Sequence, residues 1–153
     1  MNKNKKSTIV ITGASGFIGS NLIQQVKLFP QNYFIPVTRK SIPNFVTVEN
    51  YADSPEGDIL LYLSDQNRSD ISFDRSQQNL DSNRETFGKL AAKKYKKIIY
   101  VSSSALYGDQ STTLNTNYSP IILNTPYAHL KYHTELLVLE NPNSFVVRLS
   151  NVY

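Results

Sequence analysis

Thr12-Gly13-Ala14-Ser15-Gly16-Phe17-Ile18-Gly19 sets three glycines at intervals of three, after a β-branched run and ahead of a helical one. No other stretch restricts the fold as much. In that order the first glycine permits a tight turn, the second lets backbone approach a pyrophosphate and the third lets helix pack closely on strand, while N–H groups at the helix start face an anion. Without such flanks a Gly-x-x-Gly-x-x-Gly match is weak. Here Thr8 to Ile11 reads as a buried strand ended by glycine. Ile18, Leu22, Ile23 and Val26 fall on one helical face between Phe17 and Phe29, and Pro30 closes the segment. Gly13, Ser15, Gly16, Phe17, Ile18 and Gly19 are therefore candidate residues for binding a dinucleotide.

The chain goes on alternating strands with helices. Tyr33 to Thr38, Phe45 to Val48 and Asp58 to Leu63 read as strands two to four. Leu80, Phe87 and Ala91 keep helical spacing between Asp74 and Lys94, and Lys97 to Ser102 follows as a fifth strand. Pro126 to Glu140 is a third helix, with Thr125 at the N-cap and proline at the first helical position, where its missing N–H costs nothing. Phe145 to Leu149 is the sixth strand. Parallel neighbours need crossover connections, so this order predicts an α/β fold: a Rossmann-like, doubly wound parallel sheet in three layers, α/β/α. One region fits less well. Arg39 to Asn44 is shorter than the dozen or so residues a parallel crossover usually needs, so either the third strand is not one or this edge is abbreviated. Glu49 to Gly57 likewise leaves little room for a helix.

Length and charge narrow the function classes. A chain of 153 residues with 40% hydrophobic and 18% charged residues suits one domain spanning 1–153. Its net charge of +4 comes from two short lysine clusters, Lys3-Lys5-Lys6 and Lys93-Lys94 with Lys96-Lys97, which read as a solvated tail and a solvated helix end rather than a nucleic-acid surface. Without cysteine there is neither a disulfide framework nor a thiolate metal site. His129 and His133 stand four apart but lack an evident third ligand, so no metal is expected. The apolar run after Lys6 is too short for a signal peptide and nothing approaches a membrane span, so a cytoplasmic protein is expected.

The cofactor's 2′ position is read some 20 residues beyond the glycines, by a carboxylate on a ribose hydroxyl or by an arginine on a 2′-phosphate. The second strand ends Val37-Thr38-Arg39-Lys40, with no carboxylate. This favours NADP over NAD, with Arg39 as a cofactor-binding candidate; the other reading makes Arg39 and Lys40 exposed turn charges.

Further on stand Tyr100-Val101-Ser102-Ser103-Ser104-Ala105-Leu106-Tyr107-Gly108, then Tyr127-Ala128-His129-Leu130-Lys131, then Arg148-Leu149-Ser150-Asn151-Val152-Tyr153. With these and the glycine loop, nearly the whole chain resembles the extended short-chain dehydrogenase/reductases, specifically the NAD-dependent epimerase/dehydratase family. The resemblance implies an NAD(P)-dependent nucleotide-sugar epimerase, dehydratase or reductase. Tyr127 would exchange a hydroxyl proton, Ser103 would hold that oxygen, Lys131 would also grip the nicotinamide ribose, and hydride would pass between sugar carbon and nicotinamide. Counting back five residues from Gly108, as the family's motif is laid out, selects Ser103 over Ser102 or Ser104 as the catalytic serine, with Ser104 second; Ser103 and Ser104 are substrate-binding candidates, as is Asn151. Leu63, closing the fourth strand, and Ser64, opening the loop after it, fall where relatives border the cofactor, and Asn79 falls where relatives carry an asparagine on the helix before the catalytic strand, placed to brace the active-site backbone. Elementary electrostatics agrees. Tyr127 and Lys131 share a helix face. A phenol serving as base near pH 7 needs roughly 4 kcal/mol of phenolate stabilisation, and one cation at about 4 Å in a partly buried site supplies about that much.

Two departures stand out. The loop after the fourth strand reads Ser64-Asp65-Gln66-Asn67, where relatives have small residues, and Asp65 is expected to point away from a pyrophosphate. Relatives also continue beyond Asn-x-Tyr into a C-terminal substrate domain that this sequence lacks, so a cofactor-binding fragment inactive alone is expected. The competing class is a non-catalytic dinucleotide-binding regulatory or scaffold protein, which would have no need of Ser103, Tyr127 and Lys131. An unpaired edge at Phe145 to Leu149 predicts a homo-oligomer.

Overall fold

The computed structural model describes residues 6–65, 71–108, 114–150 and 152. Its centre is a six-stranded sheet built from β1 (Ser7–Thr12), β2 (Asn32–Thr38), β3 (Val46–Thr47), β4 (Ile59–Tyr62), β5 (Lys97–Ser103) and β6 (Ser144–Leu149). They lie in the order β3-β2-β1-β4-β5-β6, with every pairing parallel. Helix α1 (Phe17–Gln25) joins β1 to β2, α2 (Ser76–Ala91) joins β4 to β5, and α3 (Pro126–Leu139) joins β5 to β6. Parallel crossovers are right-handed. Because the chain winds outward from β1 in one direction and from β4 in the other, α1 covers one face and α2 with α3 the opposite one, which is the doubly wound arrangement expected.

The apolar runs supply the centre of the core. Val10, Leu60, Ile98 and Tyr100 point from three neighbouring strands into a buried cluster with Phe87 and Leu90 of α2 and Val138 of α3. Tyr62, Phe87 and Tyr100 pack with ring centroids 4.7–6.2 Å apart. Asn83 on α2 donates to the Thr134 hydroxyl of α3 at 2.8 Å, so even the polar contact between these helices is satisfied inside the layer.

Two expectations need correction. The first helix does not run to Phe29: α1 ends at Gln25 and tightens into a 3₁₀ turn over Val26–Leu28, leaving Leu28 and Phe29 exposed. A last turn commonly tightens in this way because its carbonyls lack ordinary partners. The third strand is real but only two residues long. Val46 and Thr47 pair with Val37 and Thr38 at the carboxyl end of β2 alone, so the chain never travels the length of the sheet and seven residues suffice to connect them. The return to β4 carries a 3₁₀ turn, Tyr51–Asp53, in place of a helix. This edge is the abbreviated one.

Candidate active site

Strand order reverses between β1 and β4, and in open parallel sheets a crevice forms outside the carboxyl ends at that point. Thr12 ends β1 there, fully buried, and its hydroxyl receives the Leu63 N–H at 3.3 Å and the Ser64 hydroxyl at 2.9 Å. Strand β1 is thereby bolted to the loop after β4. Gly13 follows with φ +66°, and a Cβ on it would lie 2.8 Å from the Leu63 carbonyl oxygen, so both conformation and space require glycine. At Gly19 the constraint is space alone: a Cβ would come within 2.3 Å of the Gly13 carbonyl oxygen and 2.7 Å of Ala14 Cα. Helix α1 can lie this close to β1 only without that atom.

The resulting crevice holds about 790 Å³. Gly13, Ser15, Gly16, Phe17, Ile18 and Gly19 form one wall, and Leu63 and Ser64 line it from the loop after β4. At one end stand Thr38, Arg39, Lys40 and Tyr51; at the other stand Val101, Ser102, Ser103, Tyr127 and Lys131, with Leu149, Ser150 and Val152 beside them. The Arg39 guanidinium lies 5.6 Å from the Tyr51 ring centroid. Thr38 is buried, sharing a 2.7 Å hydrogen bond with Ser15 and accepting the Lys40 N–H at 3.1 Å, which fixes the turn carrying both cations.

The residues suit an anionic dinucleotide. Helix α1 has no side-chain cap and no acidic residue in its first turn, so the N–H groups that lack helical acceptors there are not countered by a carboxylate of the same turn.

The opposite end is set by β5 and α3. Thr125 caps α3 by accepting the Ala128 N–H at 3.1 Å, which starts the helix one residue before Tyr127. Lys131 is buried, donates to the Val101 carbonyl at 3.0 Å and pairs with Asp65 at 3.0 Å. Its ammonium lies 5.8 Å from the Tyr127 ring centroid. Ser103 Oγ accepts the Ala105 N–H at 3.1 Å and so caps the 3₁₀ turn Ser104–Tyr107. A hydroxyl accepting in this way keeps its own hydrogen available to donate.

Of the residues singled out in the sequence, the structure brings the glycine-loop set, Arg39, Leu63, Ser64, Ser103, Tyr127 and Lys131 to this one crevice. Asn79, buried on α2, and Ser104, on the 3₁₀ turn, do not line it, and Asn151 lies outside the described residues. Sequence reading missed Thr12, Thr38 and Tyr51. Thr12 and Thr38 close their strands at the same sheet level, one pairing step from each other, a signal available from strand ends alone. Tyr51 had none, because its position depends on the 3₁₀ turn.

Beneath the site, Glu135 of α3 receives two N–H groups of Arg148 from β6, at 2.9 and 2.6 Å, while Arg148 also donates to the Tyr107 hydroxyl at 2.9 Å. The Glu135 carboxylate is the main reason Arg148 is held more basic than an ordinary guanidinium, with burial opposing it.

A glycine turn at the switch point of a parallel sheet, with serine, tyrosine and lysine at the far end of the same crevice, defines a Rossmann-like domain of the short-chain dehydrogenase/reductase type. The chain belongs to the NAD dependent epimerase/dehydratase family, whose model matches residues 9–153. It is 38% identical over 60 residues to dihydroflavonol 4-reductase of Arabidopsis thaliana, which covers 39% of this chain and 15% of that protein. Among solved structures, an NAD-dependent NDP-hexosamine 5,6-dehydratase involved in tunicamycin biosynthesis superposes with TM-score 0.76 at 22% identity, over 97% of this chain and 56% of its own. The dTDP-glucose 4,6-dehydratase of Streptomyces venezuelae, solved with NAD bound, superposes with TM-score 0.75 at 17% identity, over 92% and 55%. The chain thus spans little more than half the length of these structures, and their likeness is one of fold. No helix among the described residues is long and apolar enough to cross a membrane.

Proposed function

We propose that residues 1–153 form the NAD(P)-binding part of an enzyme that epimerises, dehydrates or reduces a nucleotide sugar, and that this part is inactive alone. The observation that carries the reading is a single crevice bordered at one end by Arg39 and Lys40, along its wall by the glycine turn, and at the other end by Ser103, Tyr127 and Lys131. Nucleotide-sugar names among the structural relatives support the substrate class.

In this reading the first turn of α1 holds the diphosphate, and Arg39 with Lys40 takes a 2′-phosphate, so that NADP is preferred to NAD. When bound, the nicotinamide supplies a hydride acceptor and donor. Tyr127 takes the proton of the sugar hydroxyl or returns it, with Lys131 one helical turn away on the same face. Ser103 donates its hydroxyl hydrogen to the same sugar oxygen, being itself held by the Ala105 N–H. A chain without cysteine also suits the cytoplasm, where disulfides are rare.

Calorimetric titration with the oxidised and reduced forms of both dinucleotides tests the reading. Binding is expected, tighter for NADP(H), with Arg39→Ala narrowing the preference by about tenfold. No dinucleotide binding would overturn the proposal. Turnover of a UDP- or dTDP-sugar by the purified 153-residue chain would refute its inactivity alone.

A further inference from the structure

Lys131 does not stand alone in the crevice. Its ammonium lies 3.0 Å from Asp65 Oδ2, and the Tyr100 hydroxyl donates to that same oxygen. The two charged side chains are only 7% and 9% exposed. Burial raises the Tyr100 phenol well above its ordinary value, and the negative charge of Asp65 adds to this. The Tyr100 phenol is therefore the donor, and Asp65 Oδ2 is met by both an ammonium and a phenol. Of the ammonium's three hydrogens, the Val101 carbonyl and Asp65 account for two.

A buried carboxylate is an unexpected group in a crevice suited to a diphosphate ester, since it repels that ligand. Its partner gives the reason for its place. We propose that Asp65 is a positioning residue for Lys131 that also offsets its charge, so that the reactive end of the crevice accepts the positively charged, oxidised form of a pyridine dinucleotide. This rests on the reading of the crevice as a dinucleotide site. Oxidised and reduced dinucleotides carry the same phosphates and differ by one positive charge on the ring. A charge beside the ring therefore discriminates between them, whereas a charge beside the phosphates changes both affinities alike. An uncompensated Lys131 would penalise the oxidised form, and the Lys131–Asp65 pair, neutral as a unit, does not.

The test is the ratio of Kd for the oxidised form to Kd for the reduced form, measured by equilibrium dialysis on the full chain. Asp65→Asn is expected to raise that ratio by roughly tenfold, and Asp65→Glu to leave it near the original value. Lys131→Met, which leaves the carboxylate alone, is expected to lower it. The double variant Asp65→Asn with Lys131→Met is expected to bring it back. Should Asp65→Asn not fold, the opposite shift in Lys131→Met and the unmoved ratio in Asp65→Glu decide the matter. Equal changes in both affinities, leaving the ratio unmoved in Asp65→Asn or in Lys131→Met, would overturn the proposal and leave the dinucleotide site standing. Failure of the unaltered chain to bind either form would overturn both.

Discussion

Replacing Gly19 with alanine adds one carbon where the structure has no room for it. That carbon would lie 2.3 Å from the Gly13 carbonyl oxygen, 2.7 Å from Ala14 Cα and 2.9 Å from the Ala14 carbonyl carbon, all backbone atoms that cannot rotate aside. Ordinary carbon–oxygen contact requires about 1 Å more, so helix and turn must part by that amount, at a cost of about 2–3 kcal/mol for overpacking. Alanine returns about 1 kcal/mol through helix propensity. The net loss of about 1–2 kcal/mol corresponds to a fall in Tm of about 3–6 °C for a chain of this size. Gly88 provides the internal comparison, since it lies in α2 with nothing within 4 Å of an added Cβ. Gly88→Ala is expected to raise Tm by about 2–3 °C through the same propensity term. Thermal unfolding followed by circular dichroism measures both, and dinucleotide titration measures what the displaced turn does to affinity, expected to fall at least about tenfold. A Gly19→Ala variant that melts as high as Gly88→Ala, or binds as tightly as the unaltered chain, would refute the steric reasoning.

Glu135→Gln removes the carboxylate that receives Arg148 while leaving the guanidinium, 22% exposed, in place. A loss of about 2–4 kcal/mol is expected in urea unfolding, because a partly buried charge keeps its desolvation cost without its partner. Above pH 10 the fold should weaken: burial first, and then the charge of Glu56, raise Tyr95 to about 12. A phenol near 10 when unfolded thus contributes stability that is whole below about pH 10 and lost as pH climbs through about 12. Tyr62 and Tyr100 are raised by burial in the same sense, so Tyr95→Phe should flatten only part of the fall in urea midpoint over that window. On β6, Phe145 and Val147 are 50% and 42% exposed at the end of the sheet, so self-association is expected and Val147→Lys should abolish it. Size-exclusion chromatography showing a monomer of the unaltered chain at every concentration would count against it.

What was legible in the sequence is what local chemistry decides. The β-branched run before Gly13, the apolar spacing that opens α1, and the Thr125-Pro126 start of α3 each carry their own signal within a few residues, and the structure places a strand and two helix starts there, with only the far end of α1 shorter than read. The edge beyond β2 was ambiguous for a physical reason. Whether seven residues can connect parallel strands depends on how much of the partner strand is paired, and only the register of Val46 and Thr47 against Val37 and Thr38 reveals that β3 is confined to one end. Pro36 fits this arrangement, for it lies opposite Ile11 and just short of the level where β3 begins to pair, where a missing N–H costs no bond to β3.

The lysine of the Tyr-x-x-x-Lys pair shows the same division at the level of chemistry. Spacing alone puts Tyr127 and Lys131 on one helix face, and it suggests an ammonium acting with its full charge. Sequence cannot reveal that a carboxylate 66 positions earlier closes on that ammonium, because the contact exists only after β4 and β5 have paired and α3 has crossed above them. Pairing of Tyr62 with Tyr100 sets β5 beside the end of β4, and the Asp65 carboxylate then meets both the Tyr100 hydroxyl and Lys131. A buried ammonium pays a large desolvation penalty and is best held where a counter-charge and a carbonyl meet it together. Asp65 and Val101 do so from neighbouring strand ends. The sheet that orders the glycine turn therefore also places the Lys131–Asp65 pair at the crevice's far end, and a mutation that shifts β4 against β5 should alter that end even when it touches neither Tyr127 nor Lys131.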